Sequence, residues 1–462
     1  MSVLLTHGYF LEDDGKEQGI MRPYPPLGIL YISAYLEKND IANDVFDTTF
    51  SSRQKLRDYL LENRPDIIGL YCNLVTKLNI IETVRFIKRE MPSSTVILGG
   101  PDVRYNAEQY LKEGTDYIVI GEGEDTTLEL VNYIEGRGDV LESIAGIAYM
   151  RDGAVVQNRE RDKIKDLNEL PIPNRGKIDL HLYLDAWKRF HGKNAISVST
   201  MRGCPYTCKW CSRGVYGLSY RRRSPEKVAE EIALIKQEYN PDSLWFVDDV
   251  FTISHKWLET FASELAKRNV RIPYECITRA DRMNETVIAL LRETGCFRVW
   301  IGAESGSQKV IDLMDRRVDV NQVRDMIRLT RKSGIEAGTF IMLGYPGETQ
   351  EDIEETIHHL KESNPDIFTI TVAYPIKGTE LYEEVEADIS TSLDWSSSTD
   401  RQIDFKRTYS RKYYDYALKR VNHEVNLFKM GARHMSVPGL KLQIKLMAAK
   451  LGMWWERDRR MV

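Results

Sequence analysis

The segment Met201-Arg202-Gly203-Cys204-Pro205-Tyr206-Thr207-Cys208-Lys209-Trp210-Cys211 places three cysteines within eight residues, with the spacing C-x3-C-x2-C. It directly follows Ala195–Thr200, an apolar run that is typical of a buried strand. Thiolates are the usual ligands of iron–sulfur clusters, and a short loop with three of them can hold three irons of a four-iron cluster. The fourth iron would then be open to a small-molecule ligand.

A structural zinc site is the main alternative for this segment. Such sites close with four ligands, and their spacing typically includes a second Cys or His pair downstream. The sequence has no second pair at that spacing, and Cys72, Cys276 and Cys296 are isolated. Cys276 and Cys296 lie in or near predicted buried strands, where a free cysteine behaves as a small hydrophobic residue. The pattern therefore favours a redox cluster over zinc or inert thiols.

Length and composition set the broad class of the protein. The 462 residues suggest two or three domains, and a net charge of −5 with 42% hydrophobic residues is ordinary for a globular chain. No run approaches the roughly 18 apolar residues of a membrane span, and the first residues lack the basic flank and apolar stretch of a signal peptide. We therefore expect a cytoplasmic protein and exclude disorder, collagen and a polytopic membrane protein.

Residues 1–145 alternate short apolar runs with amphipathic segments at the rhythm of parallel βαβ units. Helices are predicted over Leu27–Glu37 and Leu78–Arg89. The predicted strands are Val3–Leu5, Asp44–Asp47, Asp66–Cys72, Thr95–Gly99 and Tyr117–Ile120. The sequence therefore predicts an α/β fold that begins with a doubly wound, flavodoxin-like (Rossmann-like) domain, and such sheets bind ligands beyond the carboxyl ends of their strands.

A second βα series starts at Ala195, after a hairpin and linker over residues 146–194 that include Gly146–Val156 and the prolines of Leu170–Pro173. Its six predicted strands are Ala195–Thr200, Ser243–Val247, Tyr274–Thr278, Arg298–Ile301, Gly338–Leu343 and Ile367–Val372. The helices predicted between them include Pro225–Glu238, Trp257–Arg268 and Glu351–Lys361. Six units fall short of the eight of a closed barrel, so we predict a partial (β/α)6 barrel over residues 195–385, with its site at the carboxyl ends of the strands.

The cysteine segment, on a loop after the first strand of a partial barrel, resembles the signature of the radical S-adenosylmethionine (SAM) superfamily. In that family three cysteines bind a 4Fe-4S cluster, the open iron chelates the amino and carboxylate groups of SAM, and an electron from the cluster cleaves SAM to a 5′-deoxyadenosyl radical. The resemblance implies that Cys204, Cys208 and Cys211 are the cluster ligands and that Trp210 packs beside the adenine. Trp210 by itself could equally be a core residue.

Further matches follow successive strands of the predicted barrel. The stretch Trp245–Asp249 resembles the acidic motif of the anaerobic cyclase-like branch, in which Asp248 or Asp249 would accept a hydrogen bond from the SAM ammonium. The resemblance implies that Glu304 holds the ribose hydroxyls, and Arg279 could pair with the SAM carboxylate. Internal salt bridges are the alternative for these two residues. Gly344 opens a stretch that resembles the family's adenine-contacting turn, although a plain Pro-Gly turn explains it as well.

The amino-terminal domain resembles the cobalamin-binding module of the cobalamin-dependent radical SAM branch. The matching stretches are Pro25–Tyr31, Ile97–Pro101 and Ile120–Glu124. The residues implied in cobalamin binding are Tyr71, Asn73, Thr76, Gly99, Gly100, Pro101, Gly121, Glu122 and Gly123. An empty structural domain that positions another ligand is the competing interpretation.

One departure from related cobalamin modules concerns histidine. Several mutases and methionine synthases carry Asp-x-His-x-x-Gly, whose histidine ligates cobalt from below, but His7-Gly8-Tyr9 does not fit this pattern and no other histidine precedes His181. We therefore expect the lower face of the cobalt to lack a histidine ligand, and Tyr71, Asn73 and Thr76 become candidates to line it.

The resemblance implies an enzyme that cleaves SAM reductively and methylates an unactivated carbon of a small or lipid-like metabolite with the help of cobalamin. The alternatives are a radical SAM oxidoreductase or cyclase without methyl transfer, and a non-catalytic iron–sulfur protein. An external electron donor such as flavodoxin or ferredoxin is expected in either enzymatic case.

Residues 386–462 form a basic, helical C-terminal region outside the clear motifs. Residues 401–462 hold 15 Lys and Arg against 5 Asp and Glu, interleaved with aromatics, and Leu440–Met453 is predicted as an apolar helix. This combination suggests contact with a membrane surface or a lipid-like substrate. A helical lid over the barrel mouth is the alternative. Nucleic acid is not expected, since no dedicated RNA-binding module is visible.

Overall fold

The computed structural model describes residues 1–138, 140–390 and 393–457. Of the predicted C-terminal region, residues 391–392 and 458–462 lie outside the described residues. The chain folds into two compact units. The first unit comprises Met1–Cys204, Ser212–Ser243 and Leu393–Asp400, and the second comprises Pro205–Cys211, Leu244–Ser392 and Arg401–Val462.

The first unit contains a seven-stranded sheet. Its strands are β1 (Val3–His7), β2 (Asp44–Phe46), β3 (Ile67–Tyr71), β4 (Thr95–Gly99), β5 (Tyr117–Val119), β6 (Ile147–Arg151) and β7 (Ala154–Gln157). The order is β2-β1-β3-β4-β5-β6-β7, with β1 to β5 parallel and the predicted hairpin added as an antiparallel edge. The first five strands therefore have the flavodoxin order, which confirms the predicted doubly wound sheet.

Helices cover this sheet because its strands are apolar on both faces. Leu4, Ile68 and Leu98 belong to one buried cluster, whereas Leu5 and Ile97 belong to another. Successive strand residues point to opposite faces, so this alternation requires a layer on each side. The helices of the unit are α1 (Gly15–Ile20), α2 (Leu27–Lys38), α3 (Arg53–Asn63), α4 (Lys77–Glu90), α5 (Val103–Lys112), α6 (Glu124–Ile134), α7 (Leu180–His191) and α8 (Pro225–Glu238).

The same unit holds three short strands around the cysteine segment: β8 (Ala195–Val198), β9 (Met201–Arg202) and β10 (Arg221–Arg222). Strands β9 and β10 pair antiparallel, and Gly203 lies so close to Ser219 that a Cβ would be 2.3 Å from its Oγ. This two-stranded ribbon of β9 and β10 therefore joins the two ends of the loop formed by residues 203–220.

The second unit carries the remaining βα series. Its strands are β11 (Ser243–Phe246, whose first residue belongs to the first unit), β12 (Tyr274–Thr278), β13 (Cys296–Glu304), β14 (Glu336–Leu343) and β15 (Ile367–Val372). Neighbours in this series pair in parallel, and the complete sheet has the order β15-β14-β13-β12-β11-β8. All six predicted strands are present in this open sheet, and β11 to β15 pair in parallel, which confirms the predicted partial barrel.

The helices of the second unit are α9 (His255–Lys267), α10 (Glu285–Thr294), α11 (Gln308–Leu313), α12 (Val320–Lys332), α13 (Gln350–Ser363), α14 (Glu380–Val385), α15 (Arg411–Lys429) and α16 (Val437–Glu456). Local signals in the sequence set several starts: Asn284 caps α10, and Thr349 and Asp352 form a capping box on α13. The last two helices confirm the predicted helical C-terminal region. Among the described residues, no helix is both long enough and apolar enough to cross a bilayer.

Candidate functional site

The carboxyl ends of β11 to β14 carry the predicted SAM-binding residues. Because these strands are parallel neighbours, Asp248, Arg279, Glu304 and Gly344 follow the same edge of the sheet. Asp248 and Arg279 are buried, whereas Asp249 is exposed. Glu304 ends β13 beside a shift of register, with a left-handed φ of 65°.

Two arginines contact the thiol of Cys208. An Nη atom of Arg279 and one of Arg316 each lie 3.8 Å from its Sγ, and all three side chains are buried. Positive charge beside the sulfur stabilises a thiolate, which is the form that binds iron. The two arginines of the second unit are therefore placed to suit Cys208 as a negatively charged sulfur ligand.

Arg279 is held by several further contacts. It donates to the carbonyl oxygen of Arg316 at 2.7 Å, pairs with Asp281 at 2.9 Å and lies over the ring of Tyr206 at 3.8 Å. Its ion pair is thus a local one, with a residue two positions along the chain. In this structure Arg279 orients the second arginine and the sulfur.

Arg316 links the sulfur to Glu304. Its Nη2 donates to the Gly302 carbonyl at 2.7 Å and lies 3.6 Å from the Glu304 carboxylate, while its guanidinium lies 5.6 Å from the centre of the Trp210 ring. The Nε atom is buried, and the described residues provide no hydrogen-bond partner for it. This orphaned donor can serve a group that is bound beside Cys208.

The carboxylate of Glu304 lies in a desolvated position. Burial raises the pKa of Glu304, and the charges of Arg316 and Arg279 oppose that shift. A carboxylate held between low solvation and two cations is suited to accept hydrogen bonds from a polar ligand.

Trp210 packs against an apolar cluster formed by residues such as Met314, Tyr345 and Leu381. Backbone bonds tie its neighbour Lys209 to the same elements: the N–H of Lys209 donates to Met314, and its carbonyl accepts from Leu381. Trp210 is therefore packed against the core, which was the alternative interpretation of its place in the sequence. Its indole also contacts the guanidinium of Arg316.

The turn after β14 is stabilised by a buried glutamate. Gly344 has a φ of 76°, and its N–H donates to Oε2 of Glu348 at 2.6 Å. Glu348 is fully buried, burial raises its pKa to about 8, and its Oε1 has no partner among the described residues. The hydroxyl of Tyr414 on α15 donates to the Glu348 carbonyl, so the C-terminal region supports this turn.

In the first unit, the ends of β3 and β4 approach each other closely. A Cβ at Gly100, whose φ is 118°, would lie 2.1 Å from the Cys72 carbonyl oxygen, so this position requires glycine. At Gly99 a Cβ would meet Val119 only at 3.8 Å. A side chain at Gly99 would therefore lie in ordinary contact with Val119, whereas Gly100 admits only glycine.

Asn73 and Thr76 are engaged with each other. The side chain of Asn73 accepts from the N–H groups of Val75 and Thr76, and the Thr76 hydroxyl accepts from the Asn73 N–H at 3.0 Å. Both side chains therefore start α4, whereas Tyr71 stands half-buried at the end of β3 with a pKa that burial raises to about 12.

Glu122 and Glu124 bind the arginines that flank the cysteine segment. Arg202 on β9 contacts Glu122 at 2.9 Å and also pairs with Glu124, and Arg221 on β10 pairs with Glu122 at 2.6 Å. Arg202 and both carboxylates are more than nine-tenths buried. Glu122, which the resemblance implies in cobalamin binding, therefore joins Glu124 in anchoring β9 and β10 on either side of the cysteine loop.

The residues after the third cysteine lie on the same sheet edge. A Cβ at Gly214 would be 2.6 Å from the Pro101 carbonyl oxygen, and Arg104 donates to the Gly214 carbonyl at 2.8 Å. The nearest atoms to a Cβ at Gly121 belong to Arg104 and Val215. Pro101 and Gly121 are therefore neighbours of this segment.

His7 is committed to structural contacts. Its Nε2 lies 2.9 Å from Asp47 and its Nδ1 lies 2.9 Å from the Thr48 hydroxyl, and the side chain is buried. Both ring nitrogens of His7 are therefore engaged within the first unit.

Cys204 belongs to the first unit, and Cys208 and Cys211 belong to the second. Across the described part of the chain, no group of three or more His, Cys, Asp or Glu side chains is arranged to hold a metal ion. The case for the cluster therefore rests on the spacing of the cysteines and on the cationic surroundings of Cys208.

Sequence reasoning missed the roles of Arg202, Arg221, Arg316 and Tyr206. These residues carry no motif of their own, and their contacts join elements that are distant in sequence. Arg202 offered the best signal, because an arginine in a buried strand pair requires a buried anion, and Glu122 and Glu124 were the acidic residues of a neighbouring predicted strand end.

Comparisons with known proteins agree with the geometry. Residues 21–131 match the B12 binding domain, and residues 198–360 match the Radical SAM superfamily. The chain is 30% identical over 384 residues to the uncharacterized methyltransferase PH0819 of Pyrococcus horikoshii, covering 81% of this chain and 82% of that protein. It is 28% identical over 399 residues to the anaerobic magnesium-protoporphyrin IX monomethyl ester cyclase of Rubrivivax gelatinosus, covering 83% and 70%.

A solved structure shows the same fold. The cobalamin-dependent S-adenosylmethionine radical enzyme OxsB, with aqua-cobalamin bound, superimposes with a TM-score of 0.74 at 18% identity, covering 99% of this chain and 76% of that one. The cofactors implied by the two matched domains are a 4Fe-4S cluster, SAM and cobalamin. The chain belongs to the radical SAM superfamily, among the enzymes that combine the radical SAM domain with a B12-binding domain.

Proposed function

We propose that this enzyme methylates an unactivated carbon of a small or lipid-like metabolite. The observation that carries the proposal is the presence of a B12-binding domain and the three-cysteine segment in one chain that is 30% identical to a protein named a methyltransferase. When bound, the cluster and SAM supply a carbon-centred radical, and cobalamin supplies the methyl group to be transferred.

The chain's own residues bind and orient these groups. We assign Cys204, Cys208 and Cys211 to the cluster, with Arg279 and Arg316 balancing the charge of the sulfur ligands. The residues assigned to SAM are Asp248 or Asp249 for the ammonium, Glu304 for the ribose, and Trp210 and Gly344 for the adenine. We assign Arg279 to the SAM carboxylate through the Nη atom that lies beside Cys208. Its other donors are already paired with Arg316 and Asp281.

The first unit would hold cobalamin along the edge formed by the ends of β3, β4 and β5. Support comes from the match of residues 21–131 to the B12 binding domain and from the tight turn at Gly100. The residues assigned to this site are Tyr71, Asn73, Thr76, Gly99, Gly100, Pro101, Gly121, Glu122 and Gly123. Asn73, Thr76 and Glu122 would act mainly by shaping the backbone, since their side chains are engaged within the protein.

We propose that the functional domains are residues 1–145 for cobalamin, 146–194 as hairpin and linker, 195–385 for radical SAM chemistry and 386–462 as the C-terminal region. Within residues 386–462, Trp395 differs because it belongs to the first unit. It packs at 4.7 Å from the ring of Tyr110 and lies under the ammonium of Lys77, so residues near it complete the first unit.

The similarity to a protein named a methyltransferase supports a small-molecule substrate. We propose a cytoplasmic enzyme that receives electrons from an external donor such as flavodoxin or ferredoxin, because cluster chemistry needs a one-electron supply. We also propose that the basic C-terminal region touches a membrane surface peripherally.

A second function, ring closure or oxidation without methyl transfer, is favoured by the 28% identity to a protein named an anaerobic cyclase. The two functions differ in the fate of the SAM methyl group. The enzyme should therefore be loaded anaerobically with iron, sulfide and cobalamin and incubated with a chemical reductant, trideuteromethyl-SAM and a metabolite extract. Transfer of the labelled methyl to a carbon of an extract metabolite supports methylation, whereas a dehydrogenated or cyclised product without label supports the second function.

A further inference from the structure

Helix α16 exposes a long apolar stripe. The large side chains along it are between 46% and 68% exposed. They are Val437, Leu440, Ile444, Met447, Leu451, Trp454 and Trp455. At 100° per residue these positions span about 100° of the helix circumference, and the 20 residues of the helix extend over about 30 Å. A stripe of this size on one face indicates a binding surface.

Contacts between α15 and the opposite face of α16 keep the apolar stripe exposed. Leu446, Ala449 and Met453 are buried on the side that packs against α15. At Gly452 the two helices touch so closely that a Cβ would lie 2.5 Å from the ring of Tyr416. The helix cannot turn its exposed apolar face inward without losing these contacts.

Cations flank both edges of the stripe. By the same rotation, Lys441 lies about 40° beyond one edge and Lys445 about 80° beyond it. Lys450 and Arg457 lie about 40° and 60° beyond the other edge, and Lys450 also pairs with Glu424 at 3.5 Å. The one acidic residue between Gly431 and Arg457 is Glu456, which is buried. An apolar face between cationic edges, with tryptophans at its end, is the pattern of helices that lie in the interface of an anionic bilayer.

We infer that α16 docks on the surface of an anionic membrane, with its stripe in the headgroup region and its lysines on the lipid phosphates. Charge argues against a second copy of the chain as the occupant, because pairing two such faces brings like-charged edges together. The inference rests on the peripheral contact in the proposed function and is independent of methyl transfer.

The test is sedimentation of the full-length, anaerobically purified holoenzyme with vesicles of phosphatidylcholine alone or mixed with phosphatidylglycerol. We expect binding to the anionic vesicles, weakened by salt, and at least tenfold weaker binding for the double variant Ile444→Asp, Leu451→Asp. The matched control is Leu182→Asp with Phe190→Asp, which places the same charges at exposed apolar positions of α7 and should bind as the wild type does.

A second variant, which keeps the apolar side chains, separates loss of binding from loss of folding. Lys441→Gln with Lys445→Gln keeps the apolar face and should weaken binding to anionic vesicles while leaving the circular dichroism spectrum unchanged. Wild-type protein that stays in the supernatant with both vesicles overturns the inference, as does unchanged binding of the Asp variant. A dimer that the Asp variant dissociates, without vesicle binding, assigns the stripe to self-association and also overturns it. SAM cleavage measured without vesicles shows separately whether the proposed function holds.

Discussion

The guanidinium of Arg202 lies 2.9 Å from the carboxylate of Glu122, and both side chains are buried. Arg202 stands two residues before Cys204, and Glu122 follows β5 of the B12-binding domain. Glu124 pairs with the same arginine, and its charge holds the pKa of Arg202 well above the ordinary value against the opposing effect of burial. A buried ion network therefore connects the strand that precedes Cys204 to the B12-binding domain.

Breaking this network should destabilise the first unit. Removing one partner of a buried ion pair leaves an uncompensated charge, so Glu122→Gln and Glu124→Gln should each lower the free energy of unfolding by about 3–5 kcal/mol. Glu160→Gln is the matched control, because Glu160 pairs with Arg104 at the surface and is 66% exposed. We expect less than about 1 kcal/mol for that control. Equal losses in denaturant titrations of all three variants would contradict the account.

A Glu304→Gln variant should bind SAM more weakly and keep its cluster. A hydrogen bond to a charged acceptor contributes about 1.5–3 kcal/mol, so the affinity should fall roughly tenfold to a hundredfold. Equilibrium dialysis with SAM gives the affinity, and the iron content and visible spectrum report the cluster. Glu336→Gln is the control, because Glu336 pairs with Arg298 at the far end of the neighbouring strand. Unchanged affinity of the Glu304 variant would remove this residue from the site.

The pH dependence of stability should contain a contribution from Glu348. Burial raises its pKa from 4.5 to about 8, with Asp352 adding to the shift and Lys309 opposing it. The folded protein therefore favours the neutral acid, and the stability that this provides is complete below about pH 4.5 and is lost as the pH rises through about 8.

Glu348→Gln imitates the neutral acid and keeps an acceptor for the Gly344 N–H. Its advantage over the wild type in free energy of unfolding should grow between about pH 5 and pH 8, by at most about 1.4 kcal/mol per pH unit. Urea titrations at several pH values measure this difference. A constant difference across the range would show that Glu348 is ionised in the folded protein.

Cobalamin bound to this enzyme should have no histidine on its lower face. Asp47 and Thr48 already occupy the two ring nitrogens of His7. Electron paramagnetic resonance of the reduced corrinoid should therefore give the same spectrum with ordinary and with nitrogen-15-labelled histidine in the protein. A change in hyperfine splitting on labelling would identify a histidine ligand and refute this prediction.

The fold could be predicted from the sequence to a large extent, because strand and helix periods are local. Thr95–Gly99, Tyr274–Thr278 and Ile367–Val372 have the predicted bounds. The hairpin was also predicted, but its place as the edge of the first sheet depends on long-range pairing of β5 with β6. Local patterns do not specify such a pairing.

The candidate site was predicted less completely. The cysteines and the strand-end residues carry motifs, whereas the roles of Arg316 and Arg202 arise from side chains that reach across the fold. The surroundings of Trp210 show the same limit of local patterns, since its apolar neighbours come from α11, α14 and the turn after β14.

Reductive cleavage of SAM by the anaerobically reconstituted enzyme decides whether the three cysteines hold a catalytic four-iron cluster. With a chemical reductant, the wild type should form 5′-deoxyadenosine and show a four-iron spectrum, and Cys296→Ala should behave similarly, since that buried cysteine lies outside the motif. Replacing Cys204, Cys208 and Cys211 by Ala should abolish both signals. Undiminished 5′-deoxyadenosine formation by the triple variant, or zinc in place of iron in the wild type, would contradict the account.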